Sequence, residues 1–536
     1  MAAEPVDLLV IGGGITGAGI ARDAALRGIR TALIDKADFG HATSSNSSRL
    51  IHGGIRYLEQ RDFGLVREAS RERRVLLRIA PHLVRPLPFL FPVYRGARVP
   101  AWKLRAGMWL YDLLAAFRNV RRHRWLRPRR VRREEPSLKD KDLRGAALYY
   151  DAQADDARLV LATIRSAARA GALVANYAEA ISLARPDGQV RGAVVRDGLD
   201  GDVRTVRALV VVNATGPWTD ALRRLDEPNA APLLRLTRGA HVAVPRARVG
   251  NRHAVTLFSP IDGRVIFVVP WSDDLSYIGT TDTDDAGGPD DVHTSADDVV
   301  YLLRSVNAFF PNARLGPDDV VSTWAGLRPL LAPSGDVTTS EIPREHAVER
   351  SAAGMVTIAG GKLTTYRVMA REVVDLVSRR LHELDGRPVA SRPRTDRQPL
   401  PGGEAADLDV LLAAARARDV PEAIARHLVR SYGTESAAVL NLAARTPALA
   451  RPIAPGRPEI WAEVPHAVER EMAVRLSDVL VRRLHLFTED PGHGERVAPA
   501  VARLMGQLLG WDETRESGEV AAYSAAVKRA RPGISS

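Results

Sequence analysis

A chain of 536 residues is too long for one ordinary domain and points to two or three. Hydrophobic residues at 45% and charged residues at 26% exclude wholesale disorder, and zero cysteines exclude disulfides, thiolate metal sites, iron–sulfur clusters and a cysteine nucleophile. The net charge of +12 is mostly local, because the segment 118–133 (RNVRRHRWLRPRRVRR) holds nine arginines and no acidic residue.

The N-terminus shows no charged-then-apolar leader, and no apolar run reaches transmembrane length, so a cytoplasmic chain without a spanning helix is expected. Val6 to Ile11 (VDLLVI) reads as a strand, Gly12 to Gly17 (GGGITG) as a glycine turn, Ile15 to Arg27 as a helix, and Ile29 to Asp35 as a second strand ending on a carboxylate. Phe39 to Gly54 is small and polar and reads as a loop. Trp102 to Phe117 (WKLRAGMWLYDLLAAF) reads first as a core helix, although aromatic residues beside the arginine run also describe a helix lying on a bilayer. Ala208 to Trp218 and Met355 to Thr365 each repeat a buried strand running into a glycine turn, the second followed by a helix from Tyr366 to Leu381. Residues from about 230 to 345 alternate in the manner of an antiparallel sheet. A Pro- and Arg-rich linker covers 391–403, and helical patterns follow at Leu408 to Arg418, Pro421 to Tyr432, Val468 to Leu486 and Ala498 to Leu509. The expected organisation is an α/β nucleotide-binding domain, discontinuous and carrying the inserted β-rich domain, over 1–390, then the linker, then an α-helical cap over 404–536.

Gly12, Gly14 and Gly17 make G-x-G-x-x-G between a strand and a helix. The first glycine serves the tight turn, the second lets backbone amides approach a pyrophosphate, and the third lets helix pack on strand. The helix N-terminus then offers unpaired N–H groups to the anion. Asp35 stands where an acid accepts hydrogen bonds from a ribose hydroxyl. One dinucleotide fingerprint, with distant glycine turns returning to it, favours FAD over NAD. Thr43, Ser44, Ser45 and Ser48 are small donors suited to a loop passing close to phosphate and ring.

Four ordered motifs carry a family resemblance: ATSSNSSRLIHGGIRYLE (Ala42 to Glu59), WAGLRPLL (Trp324 to Leu331), IPREHAV (Ile342 to Val348) and GGKLTTYR (Gly360 to Arg367). They resemble those of the FAD-dependent glycerol-3-phosphate dehydrogenases of the respiratory, membrane-associated type. The resemblance implies an FAD-binding Rossmann-like domain of the D-amino-acid-oxidase type, an inserted antiparallel-sheet substrate domain and a helical C-terminal domain. It implies oxidation of sn-glycerol 3-phosphate to dihydroxyacetone phosphate, with hydride passing from C2 to flavin N5 and electrons onward to a quinone. The FAD contacts expected in all are Gly12, Gly14, Ile15, Thr16, Gly17, Asp35, Lys36, Thr43, Ser44, Ser45, Ser48, Leu50, Gly53, Thr215, Gly216, Gly361, Lys362, Leu363 and Thr364. Arg56, Tyr57, Arg328, Arg344 and Lys362 are the expected substrate contacts; His52, Arg56, Arg328 and Lys362 are the catalytic candidates, and no metal is expected.

Elementary chemistry agrees with these assignments. A phosphate monoester carries nearly two charges and needs several cations, bidentate arginines above all. Lys362 stands out because the chain contains only six lysines and otherwise uses arginine. An imidazole such as His52 suits removal of a hydroxyl proton, although it also suits a flavin, substrate or purely structural contact. The arginine run fits an anionic membrane surface better than nucleic acid, given the quinone that the resemblance implies. The expected location is therefore the cytoplasmic face of the inner membrane, peripherally bound, with a homodimer left open. The rival readings are an oxidase passing electrons to oxygen, an amine or amino-acid oxidase, and a non-catalytic flavin- or nucleic-acid-binding protein.

Overall fold

The computed structural model describes residues 1, 4–54, 58, 62–285, 287–333 and 345–531. The first segments form as their patterns dictate: strand Val6–Ile11, helix Ile15–Leu26 and strand Thr31–Ile34. Val6–Ile11 lies between Thr31–Ile34 and Val203–Asn213, both parallel to it, and Val203–Asn213 pairs in parallel with Val356–Gly360. These strands are largely apolar where they pair in parallel, because a parallel sheet is covered on both faces, whereas the exposed first half of Val203–Asn213 pairs antiparallel with Gly192–Asp197. Helices Ile15–Leu26, Asp156–Arg169 and Tyr366–Asp385 share one apolar core with it.

The second sheet is not confined to residues 230–345. Its strands Leu234–Pro245, Ala254–Phe258, Val265–Pro270, Leu275–Gly279 and Ser322–Leu331 do pair antiparallel. Ala254–Phe258, however, also pairs in parallel with Val84–Tyr94, which binds Leu143–Ala154 along most of its length. The sequence hides the first of these long strands because Pro86, Pro88 and Pro92 interrupt it, and proline reads as a strand breaker.

The C-terminal region is helical, with one departure from expectation. The helix predicted over Val468 to Leu486 is broken: Glu463–Glu471 ends at Met472, whose φ of 54° is left-handed, and a π-helical turn spans Asp478–Arg483. Tertiary partners decide this. Asp478 accepts the N–H groups of Val474 and Arg475, while Arg482 and Arg483 both reach the buried carboxylate of Asp38 beside the nucleotide loop. Burial alone would raise the Asp38 carboxyl, but Arg483 and Arg482 hold it down to about 2. In this region the helices Ser436–Arg445 and Glu513–Ala530 also escaped the sequence reading.

Candidate active site

The turns after Val356–Gly360, Val203–Asn213, Val6–Ile11 and Thr31–Ile34 sit at the carboxyl ends of four neighbouring parallel strands. Open α/β sheets bind ligands at this edge. Gly361, Thr215, Gly12 and Asp35, far apart in the chain, thus meet on one cavity of about 1610 Å³. That exceeds the ~300–1,000 Å³ typical for a drug-sized ligand and suits a dinucleotide together with a small substrate.

Gly12 takes φ +111°, and a Cβ on Gly17 would fall 1.8 Å from the Gly12 carbonyl oxygen, so the turn tolerates no side chain at either position. Gly14, which has no capping side chain, opens the helix, and Gly14, Ile15 and Thr16 line the cavity. The Ile15 N–H donates to Ser44 Oγ at 3.0 Å. Asp35 accepts the Gly13 N–H (2.6 Å) and the Ala37 N–H (2.9 Å), so its carboxylate shapes the turn as well as facing the cavity. Its burial pushes the pKa up, opposed by the nearby His41 ring. Lys36 lines the same end but gives its ammonium to Asp290 (2.7 Å) and to the Trp218 ring at 4.0 Å.

Thr43, Ser44, Ser48, Leu50, His52, Thr215, Gly216, Gly361, Lys362, Leu363 and Thr364 all line the cavity. Three expected FAD contacts do not: Gly17, Ser45 and Gly53. Gly17 is spent on helix–strand packing, Ser45 Oγ donates to the Gly40 carbonyl (2.6 Å), and the Gly53 N–H donates to Asp151 (3.1 Å). Gly53 is needed for another reason, since a Cβ there would meet the Tyr111 hydroxyl at 2.2 Å. Arg56, Tyr57 and Arg344 lie outside the described residues.

One cation comes from the second sheet and one from the first. On Ser322–Leu331, alternate residues share a face, so Gly326 and Arg328 both look into the cavity. Arg328 donates to Asp282 (3.1 Å), Thr280 Oγ1 (2.9 Å) and the Thr281 carbonyl (3.1 Å), which fixes the plane of its guanidinium. It lies across Gly239 of the paired strand, where a Cβ would stand 2.2 Å from Nη2. Lys362 lines the same cavity from the turn before Leu363–Thr365.

His241 was missed by the sequence reading. Its Nε2 is 2.8 Å from Ser48 Oγ, and its ring stacks on Trp324 with centroids 5.1 Å apart. Burial first, then Arg328 and Arg49, depress its pKa well below 6.5, so it stands neutral at the cavity wall. The available signal was a lone histidine inside the otherwise apolar strand GAHVAV, at an inward position of the alternation.

Residues 7–367 match the family model described as "FAD dependent oxidoreductase", and residues 393–516 match "C-terminal domain of alpha-glycerophosphate oxidase". A glycerol-3-phosphate dehydrogenase of Mycobacterium leprae is 40% identical over 98% of this chain and 88% of its own length. The aerobic glycerol-3-phosphate dehydrogenase of Staphylococcus epidermidis is 34% identical over 98% of this chain and 95% of its own. This chain belongs to the FAD-dependent glycerol-3-phosphate dehydrogenase family. The crystal structure of the Bacillus halodurans glycerol-3-phosphate dehydrogenase complexed with FAD aligns with a TM-score of 0.82 at 31% identity, covering 100% of this chain and 97% of that one.

As in that family, the fold is the D-amino-acid-oxidase-type FAD-binding fold with a helical C-terminal domain, and the cofactor is FAD. The chain's own geometry fits it. A glycine turn without side chains, a helix start without a capping side chain and a cavity reaching from Asp35 to Lys362 are what an extended dinucleotide needs.

Proposed function

We propose that this chain oxidises sn-glycerol 3-phosphate to dihydroxyacetone phosphate and delivers the electrons to a membrane quinone. The observation that carries the reading is one cavity joining the glycine turn Gly12–Thr16, His52, Arg328 and Lys362. FAD bound there supplies an N5 acceptor for the hydride leaving C2. Arg328 and Lys362 hold the phosphate and its neighbouring oxygens by charge-assisted hydrogen bonds, and so set which face of C2 is presented. Arg56, Tyr57 and Arg344 complete the substrate site on this reading. His52 takes the C2 hydroxyl proton, while His241, committed to Ser48 and Trp324, holds the loop Thr43–Ser48 in place. Cations around the developing alkoxide stabilise it more than the neutral alcohol, which is what accelerates the step. The quinone places the enzyme peripherally on the cytoplasmic face of the inner membrane; no helix among the described residues is long and apolar enough to cross a membrane.

Anaerobic visible spectra test the reaction: sn-glycerol 3-phosphate bleaches the oxidised flavin bands, whereas glycerol and D-amino acids leave them. A yellow protein that does not bleach removes the substrate. His52→Asn slows the bleaching by about 10²–10⁴-fold. Turnover that needs a quinone analogue and draws little oxygen assigns the acceptor; equal turnover on oxygen alone makes the chain an oxidase.

A further inference from the structure

Beyond Asp35 the cavity runs to an end lined by Ala178, Glu179, Ala180, Ile181 and Arg196. An acid at the position of Asp35 recognises a ribose hydroxyl, so the adenosine half of the cofactor belongs at this end and the flavin half toward Lys362. Backbone hydrogen bonds build the corner. The Ala178 N–H donates to the Asp35 carbonyl (2.7 Å), and the Tyr177 N–H donates to the Ala37 carbonyl (3.1 Å). Tyr177 takes a φ of 53°, a left-handed conformation that a bulky residue keeps only where its surroundings hold it.

What holds it comes from the C-terminal helical domain. The Tyr177 hydroxyl donates to Asp478 Oδ1 at 2.6 Å. The Arg475 guanidinium covers the Tyr177 ring at 4.8 Å and donates to the Gly198 carbonyl (3.3 Å). Asn176, one residue earlier, donates to the Met472 carbonyl (2.9 Å) and to the Asp38 carboxylate (3.3 Å). Asp38 also takes Arg482 and Arg483, and its carbonyl accepts the His41 N–H (3.2 Å) just before the loop Thr43–Ser48. Asp478, Arg482 and Arg483 are presented together by the π-helical turn Asp478–Arg483, an irregularity that helices keep mostly at functional sites. Asp38, Asn176, Tyr177, Asp478, Arg482 and Arg483 are all buried. In a low dielectric such a network is strong when complete and costly when partly broken, so it admits one arrangement and transmits position.

We propose that the C-terminal domain is a clamp on the adenosine half of FAD. The turn Asp478–Arg483 fixes Tyr177 and Asp38, these fix the corner at Asp35 and Ala178, and cofactor occupancy and domain docking stabilise each other. Tyr177, Asp38 and Asp478 are positioning residues. The effect is reciprocal: the factor by which docking tightens FAD is the factor by which FAD tightens docking. The clamp acts on the cofactor and is independent of which substrate or acceptor the enzyme uses.

Amide hydrogen exchange of the full-length chain reads the docking directly. The apoprotein is compared with the same protein saturated with FAD, with ADP as the adenosine half, or with FMN as the flavin half. FAD and ADP slow exchange over residues 472–483 by about tenfold or more, because a ligand held only by the docked form suppresses its opening. FMN leaves that segment at the rate of the apoprotein. Tyr177→Phe removes one hydroxyl and leaves Asp478 with Arg482 and the N–H groups of Val474 and Arg475. It weakens FAD and ADP alike by about tenfold, within the usual range of coupling between sites, and leaves FMN affinity and the spectrum of the reloaded flavin unchanged.

Exchange over 472–483 that ignores FAD and ADP overturns the proposal, and so does equal slowing by FMN. A Tyr177→Phe loss falling equally on FAD, ADP and FMN shows a merely structural role and overturns it too, as does a variant that binds FAD like the wild type. If FMN binds too weakly to saturate the site, the ADP arm decides alone.

Discussion

Two regions of this protein use arginine in opposite ways. Between the nucleotide-binding half and the C-terminal helices, four guanidiniums meet carboxylates: Arg482 and Arg483 on Asp38, Arg158 on Glu471 at 2.6 Å, Arg165 on Glu435 at 2.5 Å. There, burial would raise the Glu471 carboxyl, yet Arg158 and its neighbours hold it at about 2. In segment 118–133 the same residue type lies in water, mostly without an acid. The first region uses charge to fix where one part of the chain sits on another. The second leaves its charge available to something outside. Composition counts both alike, and only the partner distinguishes them.

The comparison can be broken most severely at Asp38. Asp38→Ala takes the direct carboxylate partner from buried Arg483 and leaves Arg482 with Asp478 alone, and costs about 3–5 kcal/mol, read as a lowered denaturation midpoint with loss of flavin. Arg328, in the cavity, stands between the two regimes: Asp282 partly neutralises it, and on the proposed reading it also holds the substrate phosphate. Arg328→Ala raises KM for sn-glycerol 3-phosphate by about one to two orders of magnitude, consistent with about 1.5–3 kcal/mol for a hydrogen bond to a charged group, and leaves the flavin spectrum unchanged.

A subtler probe of the buried region is pH. His485 lies 2.9 Å from Asp155, across the seam between C-terminal and N-terminal residues. Burial disfavours its charged form, but the Asp155 carboxylate overrides burial and raises the pKa above 6.5. A raised folded pKa contributes stability fully present below about pH 6.5 and lost as pH rises through the raised value. The urea midpoint should therefore fall on that rise, and His485→Gln should flatten the slope. The smallest effect belongs to the surface: Arg121→Ser with Arg122→Ser changes unfolding free energy by no more than about 0.5 kcal/mol. A large loss there would erase the contrast.

Local patterns were legible where one residue type has one physical use. Gly12 and Gly17 announced the turn because no side chain fits there, and the strand Val6–Ile11 and helix Ile15–Leu26 formed almost as read. The strand Val84–Tyr94 was not legible, because its three prolines contradict strand propensity and only Leu143–Ala154 beside it makes the pairing worthwhile. Ser45 and Gly53 looked like cofactor contacts because a small polar loop does not declare which donors turn inward. Gly40 and Asp151 claimed them. His241 went unread because its chemistry comes from Ser48, Trp324 and Arg328, none of them near it in sequence.

The sequence by itself determined the nucleotide turn, the family and FAD, because these rest on short motifs whose geometry is local. The tertiary structure decided the rest, for reasons of distance and exposure. It brought Gly12, Thr215 and Gly361 to one sheet edge, laid Arg328 across Gly239, and bent the C-terminal helix at Met472 toward Asp38. It also divided the apolar helix Ala101–Leu114 into core, cavity and open faces, since periodicity gives the three directions and packing alone says what each one meets.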